Sequence, residues 1–546
     1  MFAILLTKVF GFLRIALMGS SIPTAELDLF NAANAIPEVV FNIIALGSIN
    51  AAIIPIITKI FNTEGEGQER VNKVLSSVIQ LGLVLFIICG VLVFFFSDFI
   101  THLFVGFDGS RHFDADQFQK ISFMIKILIF SPVILALSSV LASLLQIKRK
   151  FFITQLAPLF YNLGIIISVY TFVPWMGGNP IGLCYGVLLG SVLHLACELP
   201  GFIGTGYKFK FGHIDFKDKY LQKIGTLMVP RSLGLAAEQA GFIVQTGIAL
   251  NLYSGSLTIY KFAMSLRDIP ISIFGLTLAQ AVFPSLSEDA NRKTFDEFNR
   301  KLQYVFQQIL FLVIPATIIL IVLRLPIARS TFGIFGHEIT LDTISRIAWV
   351  LMFLSLTIVF QALLNLLVRA FYALSNTTIP FLTSLGVIIL EVALSFVFTG
   401  VISNNFHNDI GAVAGLALAS TISNALGVGI LMFFLHHKTK FINMSLIMSI
   451  LKKILSGGLM AISILAVYKF LEIFEISRTT LGLLFVLLVS VTIGLCSYLT
   501  SEYNLKDDDM KLSAKFFGGF KSALKFVLGK REIQTVRVGN SISNLN

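Results

Sequence analysis

Glu69-Arg70-Val71-Asn72-Lys73-Val74-Leu75 enters one long apolar run of this chain. About 227 residues later, Asp296-Glu297-Phe298-Asn299-Arg300-Lys301-Leu302 enters another. The offset persists on both sides of this pair. Upstream, GSINAAIIP at 47–55 pairs with GLTLAQAVFP at 275–284; downstream, the junction at 144–153 pairs with 370–379. Chance likeness of two apolar stretches explains matched hydrophobicity, but not matched polar tracts in the same order. A fixed period marks a duplicated unit. Both copies enter from the same side, so the repeat is parallel. In a parallel membrane repeat the halves face each other across an axis along the membrane normal, with the site between them.

The composition places the unit in lipid. The chain has 546 residues, 56% hydrophobic and 13% charged, with mean hydropathy +0.86. Apolar runs of about 20 residues span a bilayer. Fourteen occur, near 1–19, 29–58, 74–99, 121–146, 152–174, 180–203, 222–251, 256–286, 304–327, 342–372, 378–402, 411–435, 447–470 and 479–500. The expected fold is an all-α polytopic membrane protein of about fourteen transmembrane helices, in two pseudo-symmetric six-helix bundles plus two C-terminal helices. The expected divisions are an N-terminal lobe at 1–206, a C-terminal lobe at 207–440, two extra helices at 441–502 and a basic tail at 503–546. The first run carries Lys8 and Arg14 and lacks a small-residue cleavage site, so it reads as a span and not as a secretory leader.

The net charge of +11 follows the alternation of loops. With the N-terminus inside, the inner loops hold Lys59, Arg70, Lys73, Lys148, Arg149, Lys150, Lys208, Lys210, Lys217, Lys219, Lys223, Arg292, Lys293, Arg300, Lys301, Lys438 and Lys440. The outer loops hold mainly Arg111, Lys120, Arg329 and Arg478. The positive-inside rule then puts both termini in the cytoplasm. The basicity reflects topology and argues against nucleic-acid binding. In the tail, Lys511, Lys515, Lys521 and Lys525 interleave with Phe516, Phe517, Phe520 and Phe526, a pattern suited to anionic lipid.

Nothing in the chain resembles a catalytic constellation, and no cofactor is implied. Cys89, Cys184, Cys197 and Cys496 form no pair or cluster with metal-ligand spacing. The chemistry lies in charges inside spans. A cation at the bilayer centre costs roughly 2.5–3.5 kcal/mol on the insertion scale, so it faces water, a partner or a substrate. Arg14 is deep in the first span, and guanidinium matches phosphate bidentately. A structural pair with Asp28 is the alternative. Lys8, nearer the start, snorkels to the surface. In the seventh span Pro230 precedes Arg231, and Glu238 follows on the same face; Pro230 is expected to break the helix beside a cavity. In the eighth, Lys261 and Asp268 repeat that spacing, with Arg267 beside them and Pro270 just beyond. Glu391 is a lone carboxylate in the eleventh span, and Ser420, Thr421, Ser423 and Asn424 are polar positions in the twelfth. Oxygen ligands there suit Na⁺ or a proton; a hydrogen-bonded, neutral Glu391 is the bland alternative.

The set of motifs resembles the MurJ (MviN) family of lipid II flippases. The likeness rests on GFLR at 11–14, Asp28, Ile36-Pro37-Glu38 with FN at 41–42, GSINAAIIP at 47–55, APLFYN at 157–162, PRSLGLAAEQ at 230–239, SGS at 254–256, FPSLS at 283–287, EFNR at 297–300 and FYALSNTTIP at 371–380. The resemblance implies the fold of the multidrug/oligosaccharidyl-lipid/polysaccharide exporter superfamily and a role in peptidoglycan synthesis. An undecaprenyl-diphosphate-linked disaccharide-pentapeptide would cross to the outer leaflet, its diphosphate met by cavity cations. Arg14 and Asp28 match family positions, and Lys8 takes the place of another cation. Ile15 stands where the family often has aspartate, and Phe41 and Ser265 stand where well-studied members have arginines. Arg231, Lys261 and Arg267 are the candidate replacements. Glu238, Glu391 and Thr421 are the candidates for a coupling-ion site, with a monovalent cation or the membrane potential as driving force. Export of another polyprenyl-linked saccharide or of a cationic drug, and a non-transporting scaffold for wall synthesis, are the competing readings.

Overall fold

A computed structural model of the chain describes residues 2–43, 56–57, 60, 67–105, 113–148, 150–203, 205–210, 212, 214–333, 339–406 and 409–505. The GSINAAIIP segment and most of the basic tail lie outside the described residues. Every described element is helical, because lipid offers the backbone no water and a helix satisfies its own N–H and C=O groups. The first half comprises α1 (Phe2–Ser21), α2 (Thr24–Phe41), α3 (Gly67–Phe95), α4 (Ser97–Val105), α5 (Ala115–Leu128), α6 (Phe130–Ile147), α7 (Phe151–Tyr170), α8 (Phe172–Trp175) and α9 (Ile181–Ile203). The second comprises α10 (Lys219–Leu252), α11 (Ser256–Pro270), a π-helical stretch (Ile271–Leu276), α12 (Thr277–Asn291), α13 (Phe295–Val322), α14 (Arg324–Phe332), α15 (Leu341–Ala373), α16 (Thr378–Phe406) and α17 (Asp409–Thr439). Two helices follow, α18 (Met444–Ile473) and α19 (Thr480–Asn504).

Eleven helical stretches among the described residues are long and apolar enough to cross a membrane. The three other expected spans correspond to α1, α2 and α10. These helices carry Lys8 and Arg14, Asp28 and Glu38, and Arg231 and Glu238.

The two halves repeat their packing. In the first, α7 and α6 pack on α9; in the second, α16 and α15 pack on α17. Small residues permit the first seam. A Cβ on Gly164 would lie 2.3 Å from the Cα of Gly190, and one on Gly186 would lie 2.1 Å from the Ser168 hydroxyl. Small-residue contacts of this kind let membrane helices approach and gain van der Waals contact.

Repeat-related helices meet at α2 and α11. Asn31 Nδ2 donates to Thr258 Oγ1 at 3.2 Å, and the Gly255 amide donates to Asp28 Oδ2 at 2.7 Å; both pairs are 227 residues apart. Equivalent residues of two copies touch only beside the axis that relates them. Gly255 is suited to this junction: its φ is +93°, and an added Cβ would fall 2.7 Å from Thr24 Oγ1.

At the end marked by the 253–255 turn, one continuous apolar core joins both halves, from Leu17, Leu27 and Ile165 to Leu250, Phe262 and Leu351. Toward the opposite end the described residues form two separate cores. One holds Val71, Leu75, Val140 and Ile224; the other holds Leu286, Phe306, Leu366 and Leu431.

The connection from α9 to α10 is strapped onto α3. Ser76 Oγ bonds the Tyr207 hydroxyl at 2.8 Å, Gln80 Oε1 accepts from Gly212 N, and Lys210 pairs with Glu69. Asp218 accepts the Tyr220 and Leu221 amides as the cap of α10 while pairing with Arg70 at 2.7 Å. The extra helices pack on each other and on α13; between them Ser456 Oγ donates to Ser501 Oγ at 3.0 Å, one turn from fully buried Lys453.

One expectation is corrected. Pro230 does not break its helix: α10 runs unbroken from Lys219 to Leu252. The irregular backbone occurs instead after Pro270, where the π-helical stretch Ile271–Leu276 interrupts the eighth span. A proline lacks the amide that continues the ladder, and widening to π geometry absorbs the defect.

Candidate functional site

Between the halves, α1 and α7 supply one wall. Thr7 Oγ1 donates to Gln155 O at 3.1 Å, and Gly11 brings α1 close to Asn162. One turn beyond Gly11, Arg14 is half-buried, and its Nε is buried with no hydrogen-bond partner among the described residues. Tyr161 of α7 lies in electrostatic reach of both Arg14 and Glu38. From the opposite half, half-buried Lys261 is in reach of Arg14, Asp28 and Glu38. Its ammonium donates to Asn31 O at 3.4 Å and lies 5.8 Å from the Phe242 ring centre. Arg14, Glu38, Tyr161 and Lys261 thus converge from four helices. Lys8 is exposed on α1, two turns nearer its start.

Glu38, like Tyr161, is a member of this group that the sequence did not single out as a site residue. It is exposed although α2 is otherwise mostly buried, so it borders open space between the halves. Its placement next to Pro37 in an apolar helix was the available signal.

Asp28 is not on that surface. It is fully buried, and its two oxygens accept the Gly255 amide at 2.7 Å and the Thr258 amide at 2.8 Å. It therefore caps α11 across the repeat axis, where a carboxylate satisfies the orphan donors of a helix start. Thr258 Oγ1 also donates to Thr24 O at 3.1 Å. The shared spacing of Lys261 and Asp268 does not make them a pair. Arg267 lies beside Asp268 and takes it, with Nη2 at 2.7 Å and Nε at 2.9 Å from Oδ1, while Lys261 reaches across to α2.

Arg267 forms a second charged group with Asp268, Tyr260 and, from α16, Glu391. This group adjoins the π-helical stretch. Thr421 is elsewhere engaged: its hydroxyl bonds Thr357 Oγ1 at 2.7 Å and donates to Ala417 O at 2.9 Å. Glu238 is exposed on α10. Glu391 keeps company with Arg267. No group of three His, Cys, Asp or Glu side chains that could hold a metal ion occurs among the described residues. The side chain of Arg231 lies outside the described residues. At the two positions without arginine, Phe41 is half-buried and Ser265 Oγ donates to Phe262 O at 2.7 Å.

The family model described as lipid II flippase MurJ matches residues 16–492. The chain belongs to the MurJ family. Among curated members, the probable lipid II flippase MurJ of Vibrio cholerae is 25% identical, covering 79% of this chain and 81% of its own length. The probable lipid II flippase MurJ of Bdellovibrio bacteriovorus is 23% identical over 92% of both. Among solved structures, a lipid II flippase MurJ in an inward closed conformation superposes with a TM-score of 0.73 at 23% identity, covering 92% of this chain and 97% of that one. An inward-facing MATE-family multidrug transporter of the MOP superfamily follows at TM-score 0.63 and 14% identity. The chain is thus a multi-span membrane protein with the fold that MurJ shares with MATE transporters.

Proposed function

We propose that this chain moves lipid II from the inner to the outer leaflet by alternating access, its diphosphate bound by cations between the halves. The observation that carries the reading is Arg14. A half-buried guanidinium with an unpartnered Nε, beside Lys261 from the other half, suits a multivalent anion. Membership in the MurJ family names that anion. Lys8 and Arg267 extend the positive lining, and Arg231 is the further candidate on α10. Asp28 contributes by holding α11 against α2.

The loop charges orient the molecule. With both termini cytoplasmic, the 253–255 turn faces outward. The shared core then closes the outer side, and the separate cores lie inward, where lipid II is made. A coupling ion near Glu391 would act on the Arg267 group; Glu238 and Thr421 are the other candidates.

The test is complementation in a bacterium depleted of its own flippase. Arg14→Ala and Lys261→Ala, each with insertion verified, are expected to abolish growth rescue. Full rescue by both variants would overturn the assigned roles. A rescue failure by the unaltered chain would overturn the substrate.

A further inference from the structure

In the first half, away from the repeat axis, Glu198 of α9 is fully buried. Its Oε2 lies 2.6 Å from Ser138 Oγ of α6, and its Oε1 is buried without a partner among the described residues. The same hydroxyl lies 2.6 Å from His194 Nδ1. His194 and Glu198 are one turn apart on one face of α9, and His194 is half-buried.

Counting protons decides what this arrangement does. A serine hydroxyl has one hydrogen, yet Ser138 has a close neighbour on each side. The second contact needs a proton from Glu198 or from His194. In one arrangement Glu198 is a neutral acid donating to Ser138, which donates to His194 Nδ1. In the other, His194 Nδ1–H donates to Ser138, which donates to the Glu198 carboxylate. The two interconvert when both protons shift one place along the line; no charge or atom is lost. The imidazolium so formed releases a proton from Nε2.

The surroundings favour the neutral acid. The helices α6, α7 and α8, packed on α9, carry no Asp, Glu, Lys, Arg or His. On α5, Lys120 is paired with Asp116 and Glu26, and Lys126 with Asp98. On α2, Glu38 is in reach of Tyr161 and Lys261. Lys150, at the start of α7, donates to Gly201 O at 2.8 Å. On α9 itself Cys197 is in electrostatic reach of Glu198. A buried carboxylate with one hydrogen bond and no cation is costly.

We propose that Ser138, His194 and Glu198 form a proton-binding site in the first half, with Glu198 as the store and His194 as the port. Loss of the proton leaves a buried carboxylate that must gain water, which loosens α6 from α9. Raising the pH opens this seam, and lowering it closes it.

The experiment is a pH titration of the infrared carboxyl bands of the full chain in lipid nanodiscs, without substrate. The unaltered chain is expected to show a protonated-carboxyl band that disappears as pH rises. Glu198→Gln, which keeps a hydrogen-bonding partner for Ser138 and removes the titration, is expected to lack it; Ser138→Ala is expected to shift its frequency. If Glu198→Gln keeps every pH-dependent carboxyl band of the unaltered chain, the site does not exist as described. If that variant does not fold, an unshifted band in Ser138→Ala overturns the proposal. No lipid II is present, so failure here leaves the flippase reading standing.

Discussion

Asp28→Ala probes the joint between the repeats. Asp28 is fully buried and accepts two backbone amides of α11, at 2.7 and 2.8 Å. Hydrogen bonds to a charged group contribute about 1.5–3 kcal/mol each. Alanine therefore removes about 3–6 kcal/mol from any state in which α2 holds α11, leaving two donors without their acceptor. At about 1.4 kcal/mol per decade, that is a shift of roughly two to four decades in population. Asp28→Asn keeps one acceptor oxygen and should give about half the effect. The reporter is a cysteine pair at Asn31 and Thr258, whose side chains are 3.2 Å apart, with the four native cysteines replaced. Oxidative cross-linking should be fast with Asp28 in place and slow in the alanine variant if the halves can separate. If they cannot, the same energy appears as a lower unfolding temperature in detergent. Unchanged cross-linking together with unchanged thermal stability would refute the argument that this carboxylate holds the joint.

Three further outcomes are expected. Gly190→Val should abolish stable insertion, since a Cβ at that position would fall 2.4 Å from Tyr161 O on α7; fluorescence-detected size exclusion reads the loss directly. Arg70→Ala and Asp218→Asn should be non-additive by about 1–3 kcal/mol in thermal unfolding, because Asp218 is almost fully buried and also caps α10; additive effects would show the pair to be idle. Glu391→Gln should increase the accessibility of Arg267 to guanidinium-directed labelling, since it removes a carboxylate from that group; equal labelling would separate the two residues.

The repeat was legible because two polar tracts survived at one offset, and that offset reappears as hydrogen bonds between Asp28 and Gly255 and between Asn31 and Thr258. Arg14 was legible because an arginine in an apolar run needs a reason. The capping role of Asp28 was not legible: its partners are backbone amides, which every residue but proline has and no sequence pattern displays. Lys261 and Asp268 share a stripe by spacing, yet Asp268 turns to its neighbour Arg267, a choice set by rotamers. The break expected at Pro230 appears at Pro270, because a proline states that a hydrogen bond is missing but not how the helix accommodates the loss. Glu38 and Glu198 are single carboxylates in apolar runs; only the packing of other helices tells a cavity wall from a sealed pocket.

The strap between the halves makes α10 a lever. Its cap, Asp218, is fastened to α3 through Arg70, so that end is a fulcrum with little slack. The helix has 34 residues and is about 51 Å long at 1.5 Å per residue. Each degree of tilt about that fulcrum sweeps the far end through about 0.9 Å. A swing of a few degrees therefore carries the 253–255 turn further than a hydrogen bond can stretch. Small angular changes beside Asp218 are therefore felt at the opposite end of α10, where the Gly255 amide is held by Asp28.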